Sequence, residues 1–235
     1  MGINATQANM AGTGIGTFSD RGRDVVRGGG AHDRGEALIR NQGFINGLWY
    51  DKNGSSAVPA KERFQQLLEA GDLVKLALAA TVRDYEFINC RGQVVKGAEL
   101  KYNNQPAGYS KDPPDVINYI SAHDNQTLFD INQYKIPMET TMSDRVRINN
   151  LGVALVGLAQ GIPFFHAGDD MHPVLSRSIA DPIVRDSRYH EATGTFVIPP
   201  RTTAVFVEKR FWQEALGVRL ELARKSPENI WLIWH

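Results

Sequence analysis

The sequence predicts an α/β chain in which strands alternate with helices up to Met171, followed by a short antiparallel β segment. Three observations carry that expectation. The apolar run Val116-Ile117-Asn118-Tyr119-Ile120 follows Pro113-Pro114 and ends in Ser121-Ala122-His123-Asp124-Asn125, as a buried strand ends in a polar turn. Ile148, Leu151, Leu155 and Leu158 recur at helical spacing until Gly161, and the apolar stretch from Ile162 to His166 comes directly after. Beyond Met171, Gly194-Thr195-Phe196-Val197-Ile198 and Thr202-Thr203-Ala204-Val205-Phe206-Val207 flank Pro199-Pro200, the pattern of two short strands joined by a proline turn.

In chain order, Ile15 to Phe18 is a strand after a glycine-rich entry. The stretch from Arg27-Gly28-Gly29-Gly30 to Gly54 is punctuated by turn residues and is expected as a loop, too long for a mere connector. A helix is expected from Pro59 to Ala70, with Pro59 near its first turn, Phe64, Leu67 and Leu68 on one face, and Gly71 as its stop. Asp72 then caps a second helical piece through Ala80, with Leu73, Leu76 and Ala77 inward. Pro113-Pro114 shuts off helix before the Val116 strand, because proline restricts itself and the residue before it. Ser143 is the expected N-cap of the helix that ends at Gly161. Near the end of the chain Trp212, Leu216 and Leu220 share a helical face until Ser226-Pro227. The closing Ile230-Trp231-Leu232-Ile233-Trp234 must then be covered or act as adhesive surface.

Composition narrows the function classes. The 235 residues carry 26 basic and 26 acidic side chains and 42% apolar residues, enough apolar material for a core and too balanced for nucleic-acid steering. Cys90 is the only cysteine, so no internal disulfide framework exists. The opening Met1-Gly2-Ile3-Asn4-Ala5-Thr6 has neither a basic start nor an apolar stretch, so no signal peptide or membrane span is expected. The compartment stays open between cytoplasm and export, since the true N-terminus of the parent protein is expected to lie elsewhere.

A carboxylate at the end of a buried strand is how a (β/α) barrel delivers an acid group to its active face, which makes Asp124, flanked by His123 and Asn125, the leading candidate. Other groupings are weaker. His166, Asp169, Asp170 and His172 carry metal-ligand chemistry, but His166 ends a strand and no metal site is assigned. Gly12, Gly14 and Gly16 imitate part of a nucleotide loop without a strand before or a helix after in register. Arg21, Arg23, Arg27, Arg34 and Arg40 are interleaved with Asp20, Asp24, Asp33 and Glu36, so a solvated, mutually paired loop is expected there. Trp49, Tyr50, Tyr102 and Tyr109 are flat side chains in expected loops, able to stack on sugar rings.

Three segments share one resemblance. Gly14-Ile15-Gly16-Thr17-Phe18-Ser19-Asp20-Arg21, the His123-Asp124-Asn125 stretch, and Gln160-Gly161-Ile162-Pro163-Phe164-Phe165-His166-Ala167-Gly168 resemble, in order, the C-terminal part of pullulanase-type α-1,6-glucosidases, starch-debranching enzymes of the α-amylase superfamily. The resemblance implies that residues 1–171 are about the last three strands of a (β/α)8 TIM barrel. It implies that 172–210 are a remnant of the family's C-terminal all-β domain, where His172-Pro173-Val174-Leu175 and Ala180-Asp181-Pro182-Ile183-Val184 match, and it leaves 211–235 as a tail of unknown role. A TIM barrel needs about 250 residues by itself. The first five strands are thus expected to be missing, along with the nucleophile and the acid/base residue they carry, and an internal deletion is expected where Gly168-Asp169-Asp170-Met171 runs into His172-Pro173.

By the same resemblance, Asp124 is the transition-state stabiliser, His123 binds the same sugar, and Asn125 braces the turn beside the substrate. The implied reaction is retaining hydrolysis of α-1,6 bonds in branched α-glucan, which the chain alone should not perform. No cofactor is assigned. Structural calcium, frequent in the family, is attached to no residues here. Two other functions remain open at this point: a non-catalytic α-glucan-binding module and an inactive gene remnant. Exposed apolar strands would also favour self-association.

Overall fold

The computed structural model describes residues 4–167, 169, 188–198, 205–208 and 230–233. Two units are separated in the chain, Met1–Pro173 and Val174–His235. The first opens with α1 (Gln7–Met10), a single turn capped by Thr6, whose hydroxyl accepts from the Asn9 N–H at 3.2 Å. β1 (Thr17–Phe18) runs directly into α2 (Asp20–Arg27). Three members of the arginine cluster therefore depart from the solvated loop expected of it, while Arg34 and Arg40 are exposed as expected. Arg21, Arg23 and Arg27 lie on α2 and are buried, because their helix packs under the sheet and offers each guanidinium a ring, a carboxylate or a carbonyl.

The long stretch that follows holds α3 (Glu36–Arg40) and is kept in place by buried polar groups. The Gln42 amide donates to the carbonyls of Asn46 at 2.8 Å and Lys135 at 3.0 Å, and accepts from Arg63 at 2.8 Å. Asn46 donates to the Arg27 carbonyl at 2.8 Å. The two glycine-bearing ends of this stretch cross in contact: a Cβ on Gly28 would sit 2.3 Å from the Asn41 carbonyl oxygen, and one on Gly43 only 2.2 Å from the Gly28 nitrogen. α4 (Ala60–Leu78) is one continuous helix, so Gly71 is no stop. Burial of Ala70, Val74 and Leu76 offsets the roughly 1 kcal/mol that a helical glycine costs. Asp72 is a buried mid-helix acceptor rather than a cap, taking the Cys90 N–H at 2.8 Å and the Lys75 ammonium at 3.0 Å. Burial alone would raise the Asp72 carboxyl, but these two donors outweigh it and hold it below the usual range.

Asp72 thereby pins the turn of a hairpin, β2 (Glu86–Ile88) against β3 (Val94–Lys96). A second hairpin, β4 (Lys101–Tyr102) with β5 (Gln105–Pro106), turns through Asn103 and Asn104 at φ 46° and 62°, the left-handed pair a two-residue hairpin turn requires. β6 (Val116–Asn118) then enters the main sheet, followed by α5 (Leu128–Lys135), α6 (Met142–Leu158) and β7 (Ile162–Pro163). Thr141, not Ser143, caps α6, its hydroxyl accepting from the Asp144 N–H at 3.2 Å. The sheet has the order β1-β6-β7, all parallel, with Phe18 beside Ile117 and Ile117 beside Ile162. Such pairing needs the long crossovers that α2 to β5, and then α5 and α6, supply.

Alternation divides the side chains of these strands between two faces. Val116, Asn118 and Ile120 face the helices. Ile120 joins Val26, Ile45, Val74, Leu128, Ile131, Ile148 and Val156 in one apolar cluster. Phe18, Tyr119 and Phe164 share the opposite face, their rings meeting edge to face at 5.0 and 5.3 Å. Phe165 belongs with the helix side, 3.4 Å from where a Cβ on Gly157 of α6 would stand.

In the second unit β8 (Arg188–His190) pairs antiparallel with β9 (Thr195–Val197), and β10 (Val205–Glu208) pairs antiparallel with β11 (Ile230–Ile233). The antiparallel character matches the sequence; the partners do not. β9 and β10 were expected to pair with each other across Pro199-Pro200, whereas each pairs with a different segment. The apolar chain end is recruited as β11. The stretch from His172 to Val184 and the helical pattern from Trp212 to Leu220 lie outside the described residues.

Candidate active site

All three parallel strands point their carboxyl ends at one open cleft of about 500 Å3. This is where parallel α/β sheets bind ligands, because the loops leaving the strands diverge there. Phe18, Tyr119 and Phe164 form the apolar floor. Asp20 and Arg23 from α2, His32 and Arg34 from the loop after it, and His123, Asp124 and Asn125 from the turn after β6 supply the polar wall.

The wall is ordered by a chain of charge-assisted hydrogen bonds. Arg23 donates to the Tyr119 hydroxyl at 2.7 Å, and that hydroxyl donates to Asp20 at 2.6 Å. Arg23 also pairs with Asp24 at 2.6 Å, and Asp24 accepts from the Tyr102 hydroxyl. Burial works against the Arg23 charge, but Asp24, Tyr119 and Asp20 together hold its pKa above the ordinary value. Burial, reinforced by its bond to Asp20, pushes the Tyr119 phenol upward, so it stays a neutral donor. Asp20 is consequently a fixed acceptor on the cleft wall, with its side chain 46% exposed.

The turn residues singled out from the sequence lie on the rim. The His123 and Asp124 side chains are exposed and stand 3.5 Å apart. Asn125 adopts φ 64° and donates to the Ala31 carbonyl at 3.2 Å, linking the turn to the loop that carries His32 and Arg34. Asparagine tolerates this left-handed geometry better than most residues. Sequence reasoning missed Asp20, Arg23, Tyr119, His32 and Arg34 as cleft residues. For Tyr119 the signal was available: it is two residues past Ile117, hence on the same strand face, one turn from Asp124.

The aromatic candidates for sugar stacking are mostly engaged elsewhere. Tyr109 is buried beneath the Arg21 guanidinium at 4.5 Å, and Tyr102 is tied to Asp24. Trp49 leans on Phe64 at 4.8 Å, and the Tyr50 hydroxyl donates to the Phe44 carbonyl. None of the four lines the cleft. His166 and Asp169 approach to 3.9 Å, while Asp170 and His172 lie outside the described residues. Among the described residues no three His, Cys, Asp or Glu side chains gather as a metal site, and no helix is long and apolar enough to cross a membrane.

Three parallel strands joined through helices, with a ligand-sized cleft at their carboxyl ends, define a class, the α/β folds that open their binding cleft where the strands end. The particular kinship comes from comparison. Residues 165–209 match the family described as alpha-1,6-glucosidases, pullulanase-type, C-terminal. The chain is 44% identical over 171 residues to the chloroplastic pullulanase 1 of Arabidopsis thaliana, a match covering 72% of this chain and 17% of that protein. The crystal structure of apo pullulanase from Klebsiella pneumoniae superposes with a TM-score of 0.67 at 43% identity, covering 71% of this chain and 18% of the other. The same enzyme complexed with maltotriose also gives a TM-score of 0.67 and 43% identity, over 71% and 15% of the respective chains. This chain is therefore homologous to a section of the pullulanase-type α-1,6-glucosidases, and it spans less than a fifth of those relatives' length.

Proposed function

We propose that this chain is a section of a debranching enzyme that hydrolyses α-1,6 bonds of branched α-glucan with retention, and that its cleft holds the sugar at the cleavage point. On this reading β1, β6 and β7 are three consecutive strands of a (β/α)8 barrel, and the segment after Met171 comes from the family's β domain. The observation that carries it is the placement of Asp124, His123 and Asn125 on the rim of a cleft at the carboxyl ends of three parallel strands. Maltotriose, bound by one related structure, is a ligand of the right class.

The chemistry divides the labour. Retaining hydrolysis needs an attacking carboxylate and an acid/base carboxylate about 5 to 5.5 Å apart. In this proposal both lie on strands outside these 235 residues. Asp124 contributes negative charge where the oxocarbenium-like transition state is positive, which lowers the barrier without replacing the nucleophile. His123 and Asn125 bind the sugar and brace the turn.

The test compares the purified chain with a longer enzyme carrying all eight strands, both on pullulan. The chain alone should release no reducing sugar above the buffer rate. In the longer enzyme Asp124→Asn should lower kcat by about a thousandfold or more with little change in KM, the pattern of a group used mainly in the transition state. Activity of the chain alone that vanishes in Asp124→Asn would overturn the division of labour. A mutant within threefold of the parent enzyme would return Asp124 to a purely structural role.

A further inference from the structure

The turn that presents His123 and Asp124 has little holding it from the solvent side. Both side chains are largely exposed, and their closest ionic contact is with each other. What fixes it comes from below and behind. Ser121 is buried, and its hydroxyl accepts from the Leu128 N–H at 2.8 Å, joining the start of the turn to the start of α5. Asn125 reaches across to Ala31.

Between these two ties lies Arg27, the last residue of α2, whose own carbonyl is held by the Asn46 amide at 2.8 Å. Its guanidinium donates through Nη1 to the Ile120 carbonyl at 3.3 Å and through Nη2 to the Gln126 carbonyl at 3.0 Å. Those two carbonyls flank the turn, Ile120 lying before Ser121-Ala122-His123 and Gln126 directly after Asn125. We propose that Arg27 is a positioning residue for the His123-Asp124-Asn125 turn, a guanidinium clip that fixes the distance between the turn's two ends and so the place of the Asp124 carboxylate.

Chemistry favours a guanidinium here over any other cation. Its terminal nitrogens are held in one plane at a fixed separation, so one group can span two acceptors at once. A lysine ammonium is a point charge on a flexible stem and transmits no such spacing. Burying this cation is costly: burial, with Arg23 nearby, lowers the Arg27 pKa to about 10, a cost consistent with a demand for geometry at this site. The clip is a statement about the turn and stands on the hydrogen bonds above. Its effect on sugar binding rests on the function proposed in the preceding subsection.

The experiment uses the full 235-residue chain as wild type, Arg27→Ala and Arg27→Lys, with maltotriose as the probe. Backbone 15N relaxation should give rigid order parameters, about 0.85, for residues 122–126 in the wild type, falling below about 0.6 in Arg27→Ala while residues 146–156 of α6 stay rigid. Millimolar guanidinium should restore both the order parameters and the maltotriose affinity of Arg27→Ala, whose loss is expected at about tenfold, whereas equal sodium chloride should not. If Arg27→Ala does not fold, Arg27→Lys carries the test: α6 unchanged, the turn mobile, and affinity reduced. Equal loosening of the turn and α6 in either variant would show a role in general packing and overturn the proposal, as would a turn that stays rigid. Failure of the wild type to bind maltotriose would sink the functional reading and leave the relaxation arm to judge the clip alone.

Discussion

Residues one position apart in the same strands live in opposite environments. Ile120 is 2% exposed on the face covered by α2, α4 and α6, and Val116 is 0% exposed beside Ala80, Val82 and Tyr109, while Phe18, Ile162 and Phe164 are 42%, 45% and 36% exposed on the other face. Parallel sheets are normally covered on both faces. The covered face is thus the stability-bearing side of this chain, and the open face, with the cleft at its upper end, is the one to which the proposed function assigns the sugar. Exposed rings there serve a ligand or further structure rather than the core.

The sharpest way to break this contrast is a pair of truncations. Ile120→Ala should cost about 2 to 5 kcal/mol by urea unfolding of the full chain, the range for emptying a tight core site, whereas Ile162→Ala should cost less than about 1. Equal costs would mean that the open face is closed in solution.

A second effect, nearly as large, probes the polar interior beneath the covered face. The Lys135 ammonium is 1% exposed and donates to the carbonyls of Gly28, at 3.1 Å, and Asn41. Burial, with Arg27 adding to it and Asp33 and Asp24 opposing, lowers its pKa from 10.5 to about 8. Because the folded value lies below the unfolded one, the unfolded chain holds more protons between about pH 8 and 10.5, and stability must rise with pH across that window. The wild type should gain about 3 kcal/mol over Lys135→Met between the two ends of the window, read as the difference between their unfolding curves. Parallel pH profiles would show that Lys135 is solvated and that the loop anchored on it is open.

The smallest change in stability is expected on the open face itself. Phe164→Ser should cost about 1 kcal/mol, the worth of an edge-to-face pair with partial burial. Its effect belongs in association: size-exclusion elution should shift toward the monomer at high protein concentration. An unchanged elution profile would show that this face does not mediate self-contact.

How much of this was legible in the sequence depended on whether a segment was governed by its own period or by distant partners. The β6 run and α6 carry their patterns locally, and both were found within a few residues. Gly71 misled because its penalty is small beside the burial of Val74 and Leu76, which only the folded chain reveals. Arg21, Arg23 and Arg27 read as a solvated run, since nothing local announces the rings of Tyr109 and Tyr119 or the carbonyl of Ile120, about ninety residues away. The hairpin at Asn103-Asn104 carried a readable signal, two residues that accept positive φ, and was overlooked because its strands are only two residues long. At the cleft, Asp124, His123 and Asn125 stood out as a contiguous trio. Asp20 and Tyr119 did not, because their pairing exists only once β1 and β6 lie side by side.

The crossing of Gly28 over Gly43 has a consequence for what evolution or a mutant library can do with this chain. Each residue occupies the volume in which the other's Cβ would stand, so the two positions share one constraint and cannot vary independently. Gly14, Gly54 and Gly92 meet nothing within 4 Å and face only the cost of their positive φ. Saturation mutagenesis should therefore show a sharply bimodal tolerance among these glycines, set by the crossing rather than by φ, since Gly28 shares its positive φ with Gly14, Gly54 and Gly92. The intolerant pair would mark the knot by which the loop under the cleft is tied to the end of α2.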